Sequence, residues 1–130
     1  MPVSTQSAAV AVALAHVEAW SNHQFDRARS ALADDVEVTV TTTKPVMAPV
    51  HTKGVDDYME GLIQFGQAVV PGCVREVASL GDERNALVMV TVDAAFGPDA
   101  PVAPLPAARL YRLDDDNKIK VEQVVFMIPD

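Results

Sequence analysis

Apolar residues first recur at helical spacing. Val10, Ala13, Leu14 and Val17 form one stripe, and Ala9, Val12, Ala13, His16 and Trp20 form an adjacent one. Ser4 or Thr5 supplies the N-cap, and the helix runs to about residue 21. With so much of its circumference apolar, this helix should be largely buried. After a break at SNHQFD, Phe25, Ala28 and Leu32 share one face of a second helix over residues 25–33. Asp34 and Asp35 then end that helix and face solvent, since aspartate competes well for backbone amides at helix ends. From Val36 the period falls to two: Val36, Val38 and Val40 alternate with Glu37, Thr39 and Thr41, which predicts a strand with one buried face.

The stretch KPVMAPVHTKG, with two prolines, reads as a loop. Asp56 and Asp57 open a third helix over residues 55–67, a favourable place for negative charge. Tyr58, Leu62, Ile63 and Phe65 give it apolar contacts, and Pro71-Gly72 ends it. Four strands follow, over residues 73–80, 86–96, 107–113 and 119–128, joined by GDERN, the proline-rich GPDAPVAPLP and DDDNK. Short connections make consecutive strands pair antiparallel. The predicted class is α+β: one domain over residues 1–130, with helices packed on one side of a curved, mostly antiparallel sheet. A concave space between sheet and first helix is then either filled by side chains or left as a pocket.

Composition narrows the partners. The chain has 130 residues and a net charge of −8, which argues against nucleic acid and anionic membrane surfaces. The apolar run over residues 8–15 ends in Ala-Leu-Ala like a signal cleavage site, but no lysine or arginine precedes it. No run approaches the ~18 residues of a membrane span. The expectation is a soluble cytoplasmic protein. A lone cysteine, Cys73, excludes a disulfide framework and reads as a packed thiol. His23 and His51 fall in loops, no two histidines have metal-ligand spacing, and no phosphate-binding loop is present, so neither metal nor cofactor is expected.

Three segments carry a resemblance: AHVEAWSNHQFDRARSALADDVEV, HTKGVDDYMEGL and RLYRLDDDNKIKVEQVVFM. Their order resembles the nuclear transport factor 2-like superfamily, in its SnoaL-like and ketosteroid isomerase-like branches, over nearly the whole chain. The resemblance implies a cone-shaped domain with three N-terminal helices, an apolar small-molecule ligand and a homodimer paired through the outer sheet face. Ketosteroid isomerase uses an aspartate base with a tyrosine and a protonated aspartic acid as oxyanion donors. Its tyrosine falls on His16, its base on Val40 and its second donor on Arg109. The base is therefore missing, and steroid isomerisation by that arrangement is not expected.

Candidate chemistry rests on three residues. His16, on an apolar helix face, has the ordinary pKa of a general acid or base; the alternative is a core histidine hydrogen-bonded to a backbone carbonyl. Asp93 shares side-chain parity with Leu87, Met89 and Thr91; if that face lines the cavity, it is a buried carboxylate that Arg109 could partner. Such a pair resembles the water-activating cluster of limonene epoxide hydrolase-like members, which needs a second carboxylate. The alternative is a surface salt bridge. Glu122 sits where SnoaL-like cyclases place a late-strand acid, but its neighbours Lys118 and Lys120 read as a solvated ladder. Trp20, Val40, Tyr58, Met47, Met89 and Met127 are candidate walls. The competing reading is a non-catalytic dimeric module, pairing through Val88, Val90, Val92, Val124 and Phe126.

Overall fold

The computed structural model describes residues 3–4, 7–45 and 48–128, the first two by backbone alone. Thr5 and Met47 lie outside the described residues. The elements are β1 (Val3–Ser4), α1 (Ala8–Ser21), α2 (Phe25–Ser30), β2 (Leu32–Thr42), β3 (Val50–Lys53), α3 (Val55–Gln67), β4 (Arg75–Gly81), β5 (Asn85–Ala94), β6 (Ala103–Leu113) and β7 (Ile119–Phe126). Among the described residues, seven strands form one sheet in the order β1-β4-β5-β6-β7-β2-β3. The run β4 to β7 is antiparallel, as its short connections require. Two pairs are parallel: β1 with β4, and β2 with β7. The third helix follows β2 and β3 instead of joining the first two at the N-terminus.

Ser7, not Ser4 or Thr5, caps α1: its backbone is extended and its hydroxyl accepts from the Val10 amide at 3.1 Å. α1 buries Val10, Ala13, His16, Val17 and Trp20 and lies over β4, β5 and β6. α3 lies over β2 and β3. The two helices thus cover different halves of one sheet face. The inward residues of β5 are Val88, Val90 and Val92, each at most 1% exposed. The sheet therefore spends these valines on the core, which rules them out as an outward pairing surface.

Three local departures from the pattern have clear causes. α2 ends at Ser30, and Asp34 and Asp35 fall inside β2, exposed, where the pairing with β7 slips between Leu32 and Glu37. The predicted loop contains β3, a four-residue strand that among the described residues pairs only with β2; His51 lies on it and bonds Thr39 at 3.0 Å. β6 starts four residues before the expected position and includes Pro104 and Pro106. β7 stops at Phe126, opposite Ala107, so these prolines lie past the end of the β6–β7 ladder, where the Met127 amide donates to the Pro106 carbonyl at 3.0 Å. No helix among the described residues is long and apolar enough to cross a membrane.

Candidate functional site

Gly54 starts α3 at φ +96°, a conformation L side chains avoid, and its amide donates to the Val36 carbonyl at 2.8 Å. This bond ties the first turn of α3 to β2 and aims Tyr58 at the sheet. Below it, Tyr111 on β6 and Glu122 on β7 stand directly opposite each other, with Arg109 opposite Val124. From α1, His16 and Trp20 close the inner end. All six side chains are at most 4% exposed.

Burial of so many polar groups requires partners, and most have them. His16 Nδ1 lies 3.0 Å from the Ala28 carbonyl, which only accepts, so this nitrogen donates. Its Nε2 is 3.1 Å from the Tyr58 hydroxyl, which donates to Glu122 Oε1 at 2.6 Å. Arg109 Nη1 is 3.8 Å from Glu122 Oε2, an ion pair without a hydrogen bond. The guanidinium lies over the Trp20 ring at 4.9 Å and the Phe126 ring at 5.7 Å, where ring quadrupoles favour a cation. Trp20 Nε1, Arg109 Nε, Tyr111 Oη and Glu122 Oε2 are buried without a hydrogen-bond partner among the described residues.

Electrostatics follow from that burial. Desolvation lowers the His16 pKa, against the pull of the Glu122 charge and the Ala28 carbonyl, and Arg109 adds to the lowering. Burial, then the Glu122 charge, pushes the Tyr58 and Tyr111 phenols well above their ordinary value. Tyr58 therefore keeps its proton and serves as a donor.

Tyr58, Arg109 and Glu122 form the floor of a cavity of about 510 Å³ between α3 and strands β3, β2, β7 and β6. Its walls are apolar: Val38, Val40 and Val124 from the sheet, Leu62 and Phe65 from α3. Phe65 meets Trp20, Phe96 and Phe126 with ring centroids 5.5 to 5.8 Å apart. This is the size and character of a small-molecule site. Among the described residues no three His, Cys, Asp or Glu side chains come together to hold a metal.

Of the residues singled out from sequence, Val40, Tyr58 and Arg109 line this cavity, while His16 and Trp20 stand directly behind its floor. Asp93 does not belong to it. Its side chain is on the outer face, where Arg75 clamps it with two bonds of 3.0 Å; this pairing holds its carboxyl below the usual range. The Asp93–Arg109 pair cannot form, because Arg109 points inward beside Val88. Met89 shares the outer parity of Asp93, and Met127 follows β7; neither lines the cavity. Glu122 is the functional group that strand parity misplaces. Between Arg112 and Leu113 the β6–β7 register slips, leaving Lys120 as an extra residue on β7. The bulge turns Glu122, Val124 and Phe126 inward, although Ile119 on the near side of it is also buried. No solvated ladder forms.

A family model for the SnoaL-like domain matches residues 13–122, and the chain belongs to that family. No curated protein is detectably similar in sequence. Solved structures share the fold. A protein from Kribbella flavida DSM 17836 superposes with a TM-score of 0.75 at 24% identity, over 92% of this chain and 86% of that one. A candidate SnoaL-like polyketide cyclase from Shewanella putrefaciens CN-32 gives 0.73 at 12% identity, over 91% and 79%. An LEH-like epoxide hydrolase of M. tuberculosis gives 0.68 at 20% identity, over 91% and 81%.

Proposed function

We propose that this SnoaL-like domain binds an apolar small molecule in the cavity and moves a proton on it. Glu122 acts as acid and base, and Arg109 holds the negative charge that develops on a ligand oxygen. The observation that carries this reading is the composition of the cavity: apolar walls ending on one carboxylate, one cation and one phenol, all buried. Such a floor orients a polar end while the walls hold an apolar body. Water addition between two carboxylates, the epoxide-opening arrangement, fits less well. The second carboxylate on the lining, Asp57, is exposed at the start of α3.

A thermal-shift screen against steroids, polyketide-like aromatics and terpene epoxides tests the reading. A compound at ~100 times its Kd adds about 2.7 kcal/mol of stability. Leu62→Trp, which fills the cavity, should abolish the shift; a shift that survives it, or silence from every class, defeats the proposal.

A second reading concerns assembly. Leu80, Leu87 and Leu110 stand side by side on adjacent strands of the outer sheet face, 60%, 42% and 41% exposed. We infer that two copies pair through this face, and a sedimentation series over concentration tests that.

A further inference from the structure

Tyr58 has one hydroxyl hydrogen and two buried acceptors. Glu122 Oε1 lies 2.6 Å away and His16 Nε2 3.1 Å away. The Nδ1 hydrogen of His16 is committed to the Ala28 carbonyl, so in a neutral imidazole Nε2 carries only a lone pair. While Glu122 is ionised, the short contact gives it the hydrogen, in the range of charge-assisted O–H···O⁻ bonds. Nε2 then faces an oxygen with nothing to offer it. If Glu122 takes a proton, Tyr58 is free to donate to Nε2 and accept from the new carboxylic acid. Only that state, or an imidazolium beside an ionised Glu122, gives both His16 Nε2 and the Tyr58 hydroxyl a hydrogen-bond partner. Burial disfavours the imidazolium.

We propose that His16 is a positioning residue that competes with Glu122 for the Tyr58 hydrogen, so that the Tyr58 hydrogen bond turns from Glu122 to His16 whenever Glu122 takes a proton from a ligand. This rests on the proton-transfer reading of the cavity. In that step a ligand C–H bond breaks, its electron pair stays on the ligand under Arg109, and an O–H bond forms on Glu122. Tyr58 keeps its own proton throughout and only reorients. When the acid proton sits on Glu122 Oε1 and points at the Tyr58 oxygen, His16 supplies the landing place without which the phenol hydrogen would be buried unpaired. The remaining groups around the chain are Arg109 and Tyr111 from β6 and the α2 carbonyl of Ala28; Tyr111 meets the imidazole edge-on at 6.2 Å. None of these is hydrogen-bonded to the Tyr58 hydroxyl, whose contacts are Glu122 and His16.

The test needs no ligand. Nitrogen-15 resonances of His16 are measured at neutral pH in the intact protein, in Glu122→Gln and in the same change on a Tyr58→Phe background. Glutamine imitates the protonated carboxyl, so the Nε2 resonance should move upfield as it gains a hydrogen bond, and Tyr58→Phe should remove most of that move. Glu122→Leu, which leaves Nε2 as the sole acceptor, makes the same prediction if the glutamine variant does not fold. An Nε2 resonance indifferent to Glu122, or one that moves equally without the Tyr58 hydroxyl, overturns the competition. Either result leaves the ligand-binding test of the cavity standing on its own.

Discussion

At the residue scale the buried ion pair is a liability unless it has work to do. Arg109 and Glu122 are 4% and 3% exposed, yet their closest approach is 3.8 Å and each keeps an unpaired polar atom. Breaking a buried pair by removing one member typically costs about 3 kcal/mol or more, because the other is left charged and alone. Arg109→Met should therefore destabilise by about 3 kcal/mol in urea unfolding. Adding Glu122→Leu to it should recover most of that loss, since apolar replacement of the whole pair is often neutral. A second prediction concerns His16, whose folded pKa is lowered. The unfolded chain binds a proton at about 6.5, the folded protein only at lower pH. Stability contributed by the neutral imidazole is thus complete above about pH 6.5 and falls as pH drops below it, by at most about 1.4 kcal/mol per pH unit. His16→Gln should flatten that segment of the stability profile; an unchanged slope between pH 7 and about 5.5 would refute the assignment.

At the scale of elements, a close approach fixes how α1 sits on the sheet. Gly81 ends β4, and a Cβ there would collide with the Asn85 carbonyl oxygen and lie 3.0 Å from a Val10 methyl of α1. Backbone cannot yield as a side-chain tip can. Gly81→Ala should cost about 2 kcal/mol in thermal unfolding, the usual scale of overpacking. Elements also set the limit of what the chain pattern discloses. The change of period at Val36, the buried first helix and the antiparallel β4–β7 run are legible because each repeats over several turns or pleats. β3 is not, being four residues directly after Pro49 and paired with β2 on one side. The candidate site was half legible. Val40 and Tyr58 follow strand and helix period to the cavity, and Arg109 is reached through the family resemblance. Glu122 does not, because one bulged residue, Lys120, reverses parity between Ile119 and Glu122, and a register slip leaves no mark in a single strand. Asp93 fails for another reason: β5 is apolar on both faces, with Leu87 and Met89 opposing Val88 and Val90, so alternation alone cannot say which face is in.

That two-sided apolarity becomes a property of the whole molecule. Helices α1 and α3 cover the face holding Val88 and Val90, while Leu80, Leu87 and Leu110 form a bare row on the other. A stable dimer buries roughly 800 Å² per partner, which this row with its strand neighbours Met89, Ala108 and Val125 can seed. Against it stands a net charge of −8 on each copy, a long-range repulsion that salt screens within about 10 Å. The proposed self-association should therefore tighten as ionic strength rises, the reverse of a contact held by complementary charge. Leu87→Glu puts a carboxylate on each copy at the centre of the row and should leave a monomer at all concentrations where the unaltered chain sediments at twice the monomer mass. Since the cavity opens on the opposite side of the sheet, that monomer should keep any ligand-induced rise in melting temperature. Loss of the rise along with the dimer would mean that the cavity depends on pairing, and sedimentation of Leu87→Glu unchanged from the original would mean that this face is not the one used.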